Sequence, residues 1–447
     1  MTSDDTLSRL NDLVARARAA GADATDAVAV RGESLSIDWR GGAVEQIERS
    51  EGSDIGLRVL IGKRQAAGST SDPSQAAMAA LVERVVAMAK VAPKDPTVGL
   101  ADPNQLATVW PELDLEDANE PSVDELQQRA TTAENAMLAV NGVSANSDGA
   151  GASWGRTSVA VVASNGFSAE YRRTGSSIAA SALAGQGTEM ETQYDSHRAV
   201  HASDLDSAED IGRRAGERAV RALGAKKIKS QQVPLIFDRR IAGSLIGHLV
   251  GAINGQSIAR GTSFLKDSLG KAVFGSSIQV IDDPRRVRGL ASAPFDGEGL
   301  PAELLTLIKD GVLQQWLLNL ATARQLGLAS NGRGTRSIGS APGIGATNLY
   351  MQPGETGVDA MIASIDRGLL VTSLIGQGVN LITGTYSRGC TGFWIEKGEI
   401  THPVSEITIA GTLTDMFASA QPASDLEFRA GTNAPSVYLE GMTIAGA

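Results

Sequence analysis

The sequence contains one cysteine, Cys390, which rules out an intrachain disulfide and any cysteine-rich metal cluster and suits a reducing compartment. Positive charge is also in deficit. The 40 lysines and arginines against 51 aspartates and glutamates give a formal net charge of −11, and neutralising nucleic-acid phosphates takes a clustered basic face. The nearest basic run, Lys226-Lys227-Ile228-Lys229, is short and follows a helix expected to end near Gly224, where cations meet the negative helix end. No apolar stretch approaches the roughly 20 residues that span a bilayer. The N-terminal Met1-Thr2-Ser3-Asp4-Asp5 is acidic and leads into an amphipathic pattern, where a secretory leader would place a positive segment before an apolar one. These absences set the expectation of a soluble cytoplasmic protein with neither nucleic-acid nor membrane partners.

Aromatic residues make up 4% of the chain while glycine reaches 50 residues, so strands must be packed by small aliphatic side chains and joined by tight turns. With 447 residues, 42% of them hydrophobic, the chain can bury two or three ordinary cores. Leu7, Leu10, Leu13, Val14 and Ala17 share one helical face, closed by Gly21. Strand patterns follow at 27–31, 35–40, 44–48, 55–61 and 64–70, an antiparallel meander with turns at Gly41-Gly42 and Gly62-Lys63. Asp72-Pro73-Ser74-Gln75 opens a helix to about Ala92, with Pro73 in its first position and Gln75 reaching back to the cap. The proline-rich, acidic segment 93–121 reads as an extended excursion pinned by Trp110. Ser122-Val123-Asp124-Glu125 is a capping-box start for a helix to about Ala139. Asn165-Gly166 marks a hairpin between 157–164 and 167–173, with a further strand at 177–184. A helix from Ser207 to Gly224 then leads to the best boundary, 224–232. The expected fold is α+β: two domains of mainly antiparallel sheet with packed helices, 1–224 including the excursion, and a β-rich 225–447.

The second domain opens on a strand, Val233 to Phe237, and a helix over 239–255 whose apolar or small residues at 241, 242, 245, 246, 249, 252 and 253 make one dry face. Asp238 is its N-cap and Gly255 its expected stop; further helices are expected at 321–326 and 358–365. His248, with no second imidazole or carboxylate one turn away, reads as a residue that caps the helix or packs beside it rather than a metal ligand. Gly151-Ala152-Ser153-Trp154-Gly155 matches a nucleophile-elbow pattern, but a β-like run follows where a helix is required, which makes it a loop. Gly56 to Lys63 is one residue too long for a phosphate loop and is followed by Arg64, so a hairpin is the better reading. Gly339 to Gly345 contains a proline and lacks a following amphipathic helix, against a dinucleotide cradle. Cys390 is read as buried, since His402 sits in a turn before Pro403 and only folding could bring His197, His201 or His248 to it. Asp282-Asp283-Pro284, next to Arg285, Arg286 and Arg288, reads as solvated ion pairs; Asp296-Gly297-Glu298-Gly299 reads as an acidic loop able to hold a cation weakly.

Through Arg260-Gly261-Thr262-Ser263, Asp296-Gly297-Glu298-Gly299-Leu300-Pro301, Asn331-Gly332-Arg333-Gly334, Tyr386-Ser387-Arg388-Gly389 and Gly392-Phe393-Trp394-Ile395-Glu396, the chain resembles the TldD/TldE (PmbA) family over most of its length, and within it the TldE (PmbA) branch. TldD-type chains carry His-Glu-x-x-x-His on the corresponding helix, two zinc-ligand histidines flanking a catalytic glutamate. Alignment on Arg260 to Ser263 puts Ile246, Gly247 and Gly251 there, none of which can bind zinc or move a proton. The TldD branch's third ligand, a C-terminal cysteine, has no counterpart in 425–438, where Gly431-Thr432-Asn433-Ala434 stands. The resemblance implies a TldD/PmbA-like fold and a subunit of a heteromeric metallopeptidase acting in peptide proteolysis or maturation. In that complex a TldD-type partner would hold the zinc, while this chain, without catalytic residue, metal or cofactor of its own, completes a chamber for an unfolded peptide. Such a chamber would read main chain by strand addition, with Arg388, Thr391 and Trp394 as its candidate lining. Two other readings stand beside this one: a self-sufficient metallopeptidase with an unrecognised site, and a homodimeric peptide-binding or scaffold protein.

Overall fold

The structure, a computed structural model, describes residues 3–446, so Met1 and Thr2 of the acidic N-terminus lie outside it. In the first half, β1 (Ala24–Arg40), β2 (Ala43–Ile61), β3 (Arg64–Thr70), β4 (Gly149–Ala163), β5 (Ser168–Ala184) and β6 (Glu191–Ala199) form one antiparallel sheet in the order β3-β2-β1-β4-β5-β6. β1 and β2 are each a single long strand where the sequence pattern suggests two. β1 pairs with β2 from Ala24–Leu60 to Arg40–Ala43 and with β4 from Asp26–Ala163 to Trp39–Ala150. Its polar Gly32-Glu33-Ser34 stretch is therefore satisfied by neighbours on both sides, whatever its own preference. For the same reason 177–184 is the continuation of β5, held between β4 and β6, and not a further strand. Gly151 to Gly155 is interior to β4 rather than a loop, and Ser153 Oγ there lies 2.7 Å from Ser177 Oγ across the ladder.

Four helices cover this sheet. α1 (Ser3–Ala19) and α2 (Gln75–Val91) pack Leu10, Leu13, Leu81 and Val85 onto Ala27, Leu57 and Val59. α3 (Val123–Leu138) and α4 (Ala208–Arg221) pack Met137, Ile211 and Ala215 onto Ile178 and Ala180. The capping box of α3 forms as its spacing predicts: Glu125 N–H donates to Ser122 Oγ at 3.2 Å and Ser122 N–H to Glu125 Oε2 at 2.7 Å. α2 starts later than expected. Ser74 is its N-cap, accepting from Ala77 N–H, while Asp72 is spent on Ser74 N–H.

The second half begins with β7 (Gln231–Phe237), α5 (Arg239–Ala252) and α6 (Gly255–Ala259). Short strands β8 (Val280–Asp282), β9 (Leu305–Lys309) and β10 (Val312–Leu313) follow, then α7 (Leu320–Leu326), β11 (Gly334–Thr335), β12 (Gly343–Ile344), β13 (Leu349–Met351) and α8 (Val358–Ala363). The chain closes with β14 (Arg367–Ile375), β15 (Thr385–Glu396), β16 (Glu399–Thr412), α9 (Leu413–Ser419), β17 (Gln421–Pro422), β18 (Thr432–Asn433) and β19 (Val437–Ala445). Because β19 pairs with both β7 and β16, the strands β7, β14, β15, β16 and β19 close into a five-membered ring. β8, β9, β10, β13 and β18 form a second sheet, and the largest core, with Leu245, Ile246 and Leu249 of α5 in it, joins that sheet to the ring.

The two halves are joined by buried charge. Asp26 of β1 takes Arg58 Nε of β2 at 2.6 Å and Arg336 Nε, from the loop between β11 and β12, at 3.0 Å. Burial pushes the Asp26 carboxyl up, but the two guanidiniums more than offset it and hold it below the usual carboxylate range. Beside them Ile338 lies on Gly56, where a Cβ would come within 1.8 Å of the Ile338 carbonyl oxygen. Phe295 from the second half meets Phe167, Tyr171 and Trp110 edge-on, at 5.0, 5.6 and 5.3 Å between ring centres, which is how the excursion's tryptophan is fixed. Arg336→Met would leave this junction a charge short, a loss of about 3–5 kcal/mol for a buried pair. Thermal melts should show a clear drop for Arg336→Met and almost none for Arg288→Met, whose pairs with Asp114 and Asp204 are exposed; equal effects would show that the junction is not what holds the halves.

Candidate functional site

α5 forms because Asp238 accepts Arg240 N–H at 2.9 Å as N-cap and Ala242, Leu245, Ile246, Leu249 and Ala252 bury one face. Gly255 is not its stop. The helix ends at Ala252, and Gly255 opens α6 beneath Leu317, its N–H donating to the Leu317 carbonyl at 2.8 Å. Gly243, Gly247 and Gly251 recur every fourth residue on the other face. A Cβ on Gly243 would sit 3.1 Å from the Thr432 carbonyl oxygen and one on Gly251 2.7 Å from Leu381 Cδ1, whereas one on Gly247 would meet nothing within 4 Å. Of the three positions aligned with the zinc motif, Ile246 is thus in the core, Gly247 faces open space and Gly251 lies under Leu381. These residues do not fit a zinc ion: they offer no nitrogen, sulfur or carboxylate donor, and among the described residues no three His, Cys, Asp or Glu side chains are grouped to hold a metal.

His248 projects from α5 onto β15, its ring 5.9 Å from that of Tyr386 and at a steep angle to it. Burial and the nearby Arg388 charge push its imidazole below the ordinary value. Cys390, next but one after Arg388, is buried and pushed up to about 12 by burial, which removes it as a nucleophile. His197 is paired instead with Asp206 and His201 with Asp114. The three proposed lining residues do not converge. Side chains alternate along β15, so Arg388 and Trp394 face the α5 side, with Trp394 in the core, while Thr391 points the other way and lines a separate cavity of about 510 Å³ with Arg221, Arg239 and Arg240.

Two acidic stretches differ from their sequence reading. Asp282 is not a solvated ion-pair residue but fully buried, holding Arg333 and Thr347 between β8 and the loop before β11. Asp296 is buried and Glu298 half-buried rather than looped into solvent, and their oxygens accept backbone N–H groups: Asp296 from Glu298, Leu300 and Gly334, and Glu298 from Leu320. Burial outweighs these bonds and raises Asp296 to about 6; burial and the Asp296 charge raise Glu298 to about 7. The sequence holds no signal for this, because glycines on both sides of a carboxylate usually mean a turn.

A groove of about 1,080 Å³ separates the halves. Ser34, Ser153 and Ser177 of the first sheet floor it, and Arg173, Arg198, Leu290, Arg429 and Gly431 line it further. Trp154 and Ser176, paired one residue along, point to the opposite face with Ala152, Ile178 and Ala180, where α3 and α4 pack, and their Nε1 and Oγ atoms are buried without a hydrogen-bond partner among the described residues. The segment 429–433 also carries Thr432 onto α5, so groove and helix share one wall.

Three family models match this chain: PmbA/TldA metallopeptidase domain 1 over residues 25–89, the central domain over 116–223 and the C-terminal domain over 230–446. Metalloprotease PmbA of Escherichia coli O157:H7 is 37% identical over 95% of this chain and 92% of its own. The chain belongs to the PmbA/TldD metallopeptidase family. The first two PmbA/TldD domain models fall on strands of one and the same sheet here, β1–β3 and β4–β6. Among solved PmbA/TldD-like structures, a candidate modulator of DNA gyrase from Bacteroides thetaiotaomicron superposes with a TM-score of 0.90 at 25% identity, covering 100% of both chains. TldE from Thermococcus kodakarensis superposes with 0.85 at 21% identity, covering 98% of this chain and 100% of its own, a likeness of fold. The α+β, TldD/PmbA-like architecture expected from the sequence is the one observed. No helix among the described residues is long and apolar enough to cross a membrane.

The buried Asp296–Glu298 pair carries a pH signature. An unfolded chain releases both protons near pH 4, whereas the folded chain keeps them to about 6 and 7. Their contribution to stability is therefore present at acid pH and lost as pH rises through that window. Glu298→Gln should raise the melting temperature at pH 8, by on the order of 2 kcal/mol of stability, and leave it nearly unchanged at pH 5. Parallel melting curves for parent and variant across pH 5–8 would refute the buried charge.

Proposed function

We propose that this chain is a TldE/PmbA-type subunit of a TldD/TldE metallopeptidase complex acting in peptide proteolysis or maturation, and that it does not itself hold the zinc. The observation that carries this reading is α5. Its buried face is complete, while the positions corresponding to the metal ligands and the general base are Ile246, Gly247 and Gly251. A side chain able to polarise a carbonyl or take a proton from water is needed for peptide hydrolysis, and none stands there. The TldD-type partner supplies both, and this chain supplies a wall of the peptide chamber.

The interdomain groove supports that role. It is lined by Ser34, Ser153, Ser177, Arg173, Arg198 and Arg429, polar side chains able to pair with an extended peptide. The name metalloprotease carried by the Escherichia coli relative favours a second reading, hydrolysis by this chain alone. Elemental analysis and a peptidase assay separate them. The chain alone should hold substoichiometric zinc and leave an unstructured peptide intact, and a TldD-type chain should cleave that peptide faster when this chain is added. Chelator-sensitive cleavage by the isolated chain, or a partner indifferent to its presence, would overturn the proposal.

A further inference from the structure

Three polar side chains meet between α5 and β15 with no anion among them. Tyr386 and Arg388 are alternate residues of β15 and so share its face, and His248 reaches them from the helix. His248 Nε2, Tyr386 Oη and Arg388 Nε are all buried atoms without a hydrogen-bond partner among the described residues, and the Tyr386 residue is 2% exposed. Arg388 also finds no carboxylate. The charges felt by His248 and Tyr386 at this spot come from Arg388 and the Cys390 thiol, and no Asp or Glu is among them. Arg388 lies close enough to Tyr386 to favour its ionised form, but a half-buried guanidinium that faces no anion is still unfavourable. The spot is not sealed: His248 and Arg388 are half-buried, and next to them Gly247 leaves open space where any other residue would place a side chain.

We propose that Arg388, Tyr386 and His248 form a carboxylate-binding site that takes the C-terminal carboxylate of a bound peptide. The guanidinium supplies the charge and a directed N–H, the Tyr386 hydroxyl a second donor, and His248 a third through Nε2–H in the matching tautomer. A carboxylate has two oxygens and room for all three. Naming the ligand as a peptide end rests on the reading that this chain lines a peptide chamber; binding of a carboxylate as such does not.

The test separates the two. The full-length chain, with its four histidines isotopically labelled, is titrated with acetate and followed by the His248 imidazole resonance, assigned by His248→Asn. Acetate should shift it saturably and acetamide should not. Arg388→Met should weaken acetate binding by on the order of tenfold or more, the scale of a lost charged hydrogen bond, with partial rescue by Arg388→Lys and a smaller loss for Tyr386→Phe. Equal responses to acetate and acetamide, tighter binding of inorganic phosphate than of acetate, or indifference to Arg388→Met would each overturn the site. Two peptides of one sequence, one ending in a free carboxylate and one in an amide, then identify the source. The free acid should bind more tightly, and identical binding with acetate still active would overturn the peptide-end assignment alone.

Discussion

The relative placement of the two halves depends on one buried carboxylate. Asp26 is inside β1 and belongs to the first sheet, but its hydrogen bonds reach both halves: one from Arg58 of its own sheet and one from Arg336 of the other half. Neither arginine could be withdrawn from water there without it, and it could not remain charged without them. The ion cluster therefore fixes where the β11–β12 loop sits, and that loop brings Ile338 onto Gly56, a position only glycine permits. The interdomain groove is the space left between the halves once this contact is made. Its dimensions follow from the junction rather than from flexible loops.

α5 is held in place from one side. Its position is decided by Leu245, Ile246 and Leu249 in the shared core, and the face opposite contributes little to that packing. Substitution there is tolerated so long as the backbone stays helical. Three glycines in a helix interior work against that, each at about 1 kcal/mol relative to alanine. Two of them are explained by close approach, Gly243 under the Thr432 carbonyl and Gly251 under Leu381. Nothing in the structure explains Gly247 by packing.

Element types were legible in the sequence wherever a period or a cap was strong: the α3 capping box, the Asn165-Gly166 hairpin and the dry face of α5 all formed as written. Strand lengths were not, because β1 and β5 are extended by neighbours far away in the chain, and a polar or glycine-rich stretch in a central strand looks like a turn when read alone. Ring closure by β19 depends on a pairing between residues 408–410 and 443–445 that no local pattern announces. At the site, resemblance located α5 and the segment 430–434, but not their contact with the groove. The sequence marks Arg388 as candidate lining and His248 as a capping or packing residue, while Tyr386 enters only through the motif that carries the resemblance. Their shared feature is a missing partner, which exists only in three dimensions.

Segment 429–433 ties these features into one mechanical unit. Arg429 holds Asp206, ahead of α4, at 2.8 Å; Gly431 lies against Ala291; Thr432 rests on Gly243 of α5; and β18 pairs with β13 of the second sheet. Through β18 this edge of the groove is tied to α5 and to the second sheet together. Both are packed into one core, so they can move only as a body.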